Sequence, residues 1–159
     1  KTIEVMEHLP EKYTLTLFGQ GKYINTYRKL IKKKNLSQRI QIIERFLQPK
    51  EMLEQYRKHG VFISTTRQDS QGLTILEAMS SGLLGVSTLN SAKPEFISNG
   101  ESGILAKESK KIASTIVSVT ENLSLFKKLT FNASKSLMLL EIKDLVKNEI
   151  DQLNQICPN

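Results

Sequence analysis

Cysteine is almost missing from this chain. Cys157, next to the C-terminus, is the single one, which excludes a disulfide framework and a cysteine-based metal site. There is no tryptophan, and no apolar run approaches the roughly 20 residues that a transmembrane helix needs. Nothing at the N-terminus has the pattern of a signal peptide; a start at Lys1 rather than Met reads as a trimmed chain or fragment. Only two histidines occur, His8 and His59, without partners at any catalytic or metal-binding spacing, so both read as ordinary helix-end residues. Acidic metal-binding clusters are also absent, so neither a metal nor a cofactor is expected. A reducing, cytoplasmic setting fits these absences.

What is present is an ordinary domain. The 159 residues, 39% hydrophobic and 25% charged, are enough for a sizeable core and too apolar for disorder. Acids are outnumbered by bases, 16 to 23, and the formal charge of +7 calls for a negative partner or surface. Part of it is concentrated in Arg28-Lys29-Leu30-Ile31-Lys32-Lys33-Lys34, a run whose bases line one side of a helix. That side is either simply solvated or a peripheral contact with anionic lipid at the inner membrane surface. Nucleic acid is not expected as a partner, since neither a recognition motif nor interleaved aromatics accompany the charge.

Strand and helix patterns alternate along the chain, which predicts an α/β fold with a mostly parallel sheet. Helices are expected at 3–9, 23–34, 50–58 and 73–81, with a short helical turn at 94–98. Strands are expected at 13–18, 40–44, 61–64, 85–88 and 103–106. Beyond Glu108 the pattern is helical, with apolar faces at Ile112, Ile116 and Val119, then Leu123, Phe126, Leu129 and Ala133, then Ile142, Leu145, Ile150 and Leu153.

The richest stretch runs from Arg67 to Gly82. It places two carboxylates, Asp69 and Glu77, around Gly72, which opens the helix after the strand Val61-Phe-Ile-Ser64. The first N–H groups of such a helix have no internal partner and carry the positive end of its dipole, so they attract phosphate. Glu77 falls just over a turn into the helix, where its two oxygens could accept hydrogen bonds from neighbouring ribose hydroxyls. Asp69, in the loop, could hold hydroxyls of a sugar. Each residue has a plainer reading as well. Glu77 complements the helix dipole, and Asp69 forms a turn or caps the helix.

This order of residues resembles the donor-sugar signature of retaining glycosyltransferases with the GT-B fold. Asp69 and Glu77, then Ala78-Met79-Ser80-Ser81-Gly82, Pro94-Glu95 and Asn99-Gly100-Glu101-Ser102-Gly103 follow the family's sequence of motifs. Upstream, Leu17-Phe18-Gly19-Gln20-Gly21 is similar to its strand-to-glycine turn, and Tyr56 followed by Val61 to Ser64 to its approach to the site. The departures are Asp69 where Glu is commoner, Ser70-Gln71 for a glycine and aromatic pair, Leu84-Gly85 for Pro-Val, and Ser91-Ala92 for a glycine pair. The last two are expected to alter loop stiffness more than chemistry.

The resemblance implies a Rossmann-like three-layer α/β/α sandwich, the C-terminal domain of a GT-B fold, filling residues 1–159 and ending in a helical segment. It implies a catalytic role for Asp69 and Glu77, and donor binding by Gly19, Gly21, Gly72, Leu73, Thr74, Glu77 and Glu95. Lys93 and Arg67 could touch phosphate but read more simply as solvated; Glu95 too could be a surface acid. The implied reaction is hexose transfer from a UDP- or GDP-linked sugar to a glycan or lipid-linked acceptor in polysaccharide biosynthesis. The family's first strand of this domain, with its Arg and Lys loop, would precede Lys1, as would the domain that binds the acceptor. The isolated fragment is therefore expected to be inactive. Other enzymes of the same fold, an epimerase or a sugar phosphorylase, fit the residues less well; a non-catalytic partner module of this fold is the alternative.

Overall fold

The computed structural model describes residues 1–66, 72–89 and 93–138, apart from the side chains of Lys93, Glu95 and Met138. Arg67, Asp69, Ser91-Ala92, Cys157 and the third helical face at Ile142 to Leu153 lie outside the described residues. In chain order the elements are α1 (Thr2–His8), β1 (Leu15–Phe18), α2 (Ile24–Lys33), β2 (Ile40–Ile43), α3 (Pro49–Lys58) and β3 (Val61–Ser64). They continue with α4 (Leu73–Ser80), β4 (Leu84–Ser87), α5 (Lys93–Phe96), β5 (Ile104–Leu105), α6 (Ser109–Glu121) and α7 (Leu123–Met138).

Among the described residues all strand pairs are parallel, but they form two sheets: β1 with β2, and β3-β4-β5. Parallel strands need crossovers, and the helices supply them on both faces. Period-2 alternation sorts the strand side chains between those faces. Val61, Ile63, Leu84, Val86 and Ile104 join a cluster with Ile3 and Met6 of α1 and Ile112 and Ile116 of α6. Phe62 and Leu105, one residue out of phase, point to the opposite face with Ile75 and Met79 of α4. Tyr56 and Met52 of α3 pack on that second side against Ala78 and Leu83. The result is the three-layer, Rossmann-like α/β arrangement.

Leu84-Gly85 corrects one expectation. Both residues lie inside β4, which is buried along its whole length, and not in a loop whose stiffness they could set. Gly85 leaves room for a side chain from α4: a Cβ there would fall 2.6 Å from Met79 Sδ. Arg39 anchors the other sheet. Its guanidinium donates to the carbonyls of Leu9 at 3.0 Å, Pro10 at 2.9 Å and Tyr13 at 3.1 Å, fixing the link between α1 and β1.

Two members of the basic run are already engaged. Arg28 pairs with Glu44 and Lys34 with Glu7, while Lys29, Lys32 and Lys33 stay exposed. No described helix is long and apolar enough to cross a membrane.

Candidate functional site

The junction between β3 and α4 is built as its residues dictate. Gly72 sits at φ 61° and ψ 22°, a left-handed conformation that costs glycine least, and turns the chain directly into the helix. The first internal hydrogen bonds run from Ile75 and Leu76 to the Gly72 carbonyl, both 3.1 Å. The amides of Leu73 and Thr74 therefore precede the helix's own ladder, and both residues are exposed. Glu77 follows one turn later on the exposed surface of α4, with its carbonyl accepting from Ser80 and Ser81 hydroxyls, both at 2.8 Å.

Glu77 has a partner that no spacing in the sequence points to, although Tyr56 lies on the expected approach to the site. Tyr56, 6% exposed at the end of α3, reaches across with its hydroxyl 3.4 Å from Glu77 Oε2 and 3.5 Å from the Thr74 carbonyl. Its ring meets Phe62 edge-on, at a centroid distance of 6.1 Å. Burial, and then the nearby Glu77 charge, push its phenol from the usual value near 10 up to about 12. The unfolded chain gives up this proton near pH 10 while the fold retains it. The neutral phenol thus supports folding fully below pH 10, and that support is lost as the pH rises through 12. Urea unfolding is expected to show stability falling across this window, with Tyr56→Phe giving the flatter profile; equal slopes would remove the coupling.

The other candidates are distributed as follows. Gly19, whose N–H donates to the Ile43 carbonyl at 3.2 Å, and Gly21 form an open turn at the C-terminal end of β1, where an added Cβ would meet nothing within 4 Å. The glycine pair is thus at the same edge type as Gly72, past the carboxyl end of a parallel strand, where open α/β sheets take ligands. Asp69 lies outside the described residues, and Glu95 is described only through its backbone in α5. His59 is structural: its ring nitrogens lie 2.7 Å from the Gln55 carbonyl and 3.4 Å from Thr16 Oγ1, tying α3 to β1. Thr88, just past β4, is 2% exposed, and its hydroxyl has no hydrogen-bond partner among the described residues.

The Asn99 to Gly103 turn has a structural reason. Asn99 Oδ1 accepts from the Leu105 amide at 2.8 Å, Gly100 takes φ 78° and donates to the Gly103 carbonyl at 2.8 Å, and Ser102 Oγ accepts from the Ser98 amide at 3.0 Å. Asn132 of α7 closes it from outside by donating to the Glu101 carbonyl at 2.9 Å. The turn thus ties the end of α5 to the start of β5.

The family model for Glycosyl transferases group 1 matches residues 1–136. The chain belongs to this family. Among solved structures, this group 1 domain is similar to Anabaena HepE in complex with UDP and glucose, at 18% identity and a TM-score of 0.83, covering 97% of this chain and 44% of that one. TarM of S. aureus, in complex with Fondaparinux, alpha-GlcNAc-glycerol and UDP, gives 20% identity and a TM-score of 0.84 over 96% of this chain and 32% of that one. The C-terminal domain of a glycosyl transferase group 1 family protein, LpcC, from Francisella tularensis gives 19% and 0.69, over 86% and 92%. The chain thus spans less than half the length of the first two. No curated protein matches the sequence. At these identities the likeness bears on the fold, and the fold is that of a GT-B glycosyltransferase domain.

Proposed function

We propose that the chain is the nucleotide-sugar-binding, C-terminal domain of a retaining glycosyltransferase that moves a hexose from a nucleoside diphosphate to a glycan or lipid-linked acceptor. The observation that carries this reading is Glu77. In a group 1 glycosyl transferase, it is an exposed carboxylate one turn beyond free helix amides at the carboxyl end of a parallel strand. The Leu73 and Thr74 amides, approached closely over Gly72, would hold the diphosphate at the positive end of α4. Glu77 would accept from the two ribose hydroxyls, with Tyr56 steadying its far oxygen. Asp69 and Glu95 would meet the sugar and phosphate, and the Gly19-Gln20-Gly21 turn would line the donor cleft.

The acceptor hydroxyl would attack the face from which the diphosphate leaves, through an oxocarbenium-like state. The residues of this domain bind and orient the donor and stabilise the departing charge; the substrate carries the leaving group, and no cofactor enters. A second domain would bring the acceptor, and the exposed Lys29, Lys32 and Lys33 would face anionic lipid at the cytoplasmic surface of the membrane. UDP is the first donor nucleotide to test, since the Anabaena and S. aureus proteins were both solved with it.

Titration of the 159-residue chain with UDP and GDP tests this reading. Weak, saturable binding of one of them is expected, in the millimolar range, about −4 kcal/mol, and sugar transfer to any acceptor is not. Absence of binding by either nucleotide sinks the donor site; turnover by this chain alone sinks the claim that a second domain is needed.

A further inference from the structure

Asn99 is the one asparagine in the chain followed by glycine. That pair is chemically unstable unless the fold restrains it. The backbone nitrogen of Gly100, once it gives up its proton, can attack Cγ of the Asn99 side chain, because glycine carries no Cβ to obstruct it and adopts the required conformation freely. A bond forms between Gly100 N and Asn99 Cγ, the bond from Cγ to Nδ2 breaks, and Nδ2 leaves as ammonia with the proton given up by Gly100 N. Water then opens the resulting succinimide ring. Attack at Cγ leaves aspartate, whereas attack at the main-chain carbonyl carbon of Asn99 leaves isoaspartate, in which the main chain runs through Cβ and Cγ and is one atom longer.

Asn99 and Gly100 are both exposed, so water and hydroxide reach them. Yet each reacting group is committed elsewhere. The Gly100 N–H donates to the Gly103 carbonyl at 2.8 Å, which holds the proton that must leave. Asn99 Oδ1 accepts from the Leu105 amide at 2.8 Å, and Cγ cannot swing onto Gly100 N until that bond breaks. A parallel bridge between Asn99 and Gly103 fixes the main chain of both. Two further bonds oppose local loosening: Ser102 Oγ, in a residue only 4% exposed, accepts from the Ser98 amide, and Asn132 Nδ2 on α7 donates to the Glu101 carbonyl. Gly103 itself is wedged between the Gly85 carbonyl oxygen and Ile97. Attack therefore needs the turn at 98–105 to open.

We infer that Asn99 is a modification site gated by the fold, converted to aspartate or isoaspartate only through openings of this turn, and that the two products have opposite consequences. Aspartate keeps an oxygen where the Leu105 amide donates, so the turn closes again. Isoaspartate adds an atom to a main chain already fixed at Asn99 and Gly103, so the Leu105 amide loses its acceptor and the tie between α5 and β5 fails. The site thus records how often the turn has opened.

Mass spectrometry of the peptide spanning residue 99 measures the conversion, and hydrogen exchange of the Gly100 and Leu105 amides measures the opening. In the folded 159-residue chain at mildly alkaline pH, conversion is expected to run about 100-fold or more slower than in the same chain in guanidinium chloride. That factor should match the exchange protection of the two amides to within about threefold, since one opening releases both reactions. Asn132→Ala, which removes one outer hydrogen bond and no reacting atom, should speed conversion about fivefold in the folded chain and leave it unchanged in denaturant. Ser102→Ala, which removes the inner bond, should act in the same direction. Conversion as fast in the folded chain as in denaturant overturns the inference. So does protection far above the slowing, because attack would then not need the turn to open, and so do folded variants that convert at the parent's rate, which would place the gate in global unfolding. Chains that have formed isoaspartate should lose protection at Leu105 while Asn99→Asp retains it; equal protection in the two overturns the opposite consequences.

Discussion

Glu77→Gln in the whole protein is expected to lower donor use by about tenfold to over a hundredfold while leaving the fold intact. The amide keeps the shape and one acceptor oxygen but loses the charge-assisted hydrogen bonds to ribose, a loss of roughly 1.5–3 kcal/mol. Glu77 is exposed, and the one hydrogen bond of its side chain among the described residues is the long one from the Tyr56 hydroxyl at 3.4 Å, so stability should change by no more than about 0.5 kcal/mol. Because the lost contact is to the nucleoside, a 2′,3′-dideoxy donor should be used about equally poorly by both forms, whereas the unaltered enzyme should strongly prefer the normal donor. Asp69→Asn should instead alter discrimination among sugars on one nucleotide. Unchanged donor kinetics, or a variant that merely unfolds, would leave Glu77 as an acid that complements a helix dipole.

Gly103→Ala is expected to cost about 3 kcal/mol, read as a drop in Tm of roughly 6–12 °C for a domain of this size. The new methyl would lie 2.7 Å from the Gly85 carbonyl oxygen and 2.8 Å from Ile97 Cγ2. The first neighbour is backbone at the centre of a sheet and cannot rotate away; the second is 1% exposed and has no space to retreat into. Gly85→Ala makes the informative contrast. Its clash is with Met79 Sδ at 2.6 Å and Cγ at 2.7 Å, a buried but flexible side chain rather than backbone, and should cost less, about 1–2 kcal/mol. If β5 yields in the alanine variant at position 103, Ile97 and α5 move with it, so donor affinity should fall beyond what lost stability explains. Similar costs at the two glycines would refute this account of the packing.

Local chemistry made most of the elements legible. Val61 to Ser64 was readable to the residue, because a β-branched run follows Gly60 and ends at polar threonines. The helix at Leu73 was readable because apolar spacing and an opening glycine agree. Leu84 lay one residue outside the strand expected at 85–88, a shift at an element boundary, where local pattern is least decisive. The division into two sheets was not readable, since pairing between strands some 45 residues apart depends on the direction each crossover takes. Of the site, Gly72, Leu73, Thr74 and Glu77 fell where their spacing placed them. The approach of Tyr56 to Glu77 did not show, because 21 residues and a whole strand separate the two and no periodicity links them. The Asn99 to Gly103 motif was recognisable as a turn, but the reason for its last glycine, a carbonyl on the neighbouring strand, exists only in three dimensions.

The final described helix belongs to both halves of the interior. Leu125, Phe126 and Leu129 of α7 pack with the α1 and α6 side, while Ala133 and Leu137, two turns on, pack with α4 and Leu105. During synthesis these residues leave the ribosome after every described strand has already emerged. Until then Leu84, Val86 and Met79 lack part of their cover, and the nascent strands are held mainly by the growing chain's local contacts. A ribosome paused before Leu123 should therefore display a protease-sensitive, chaperone-bound intermediate, and release past Leu137 should make the layers close together.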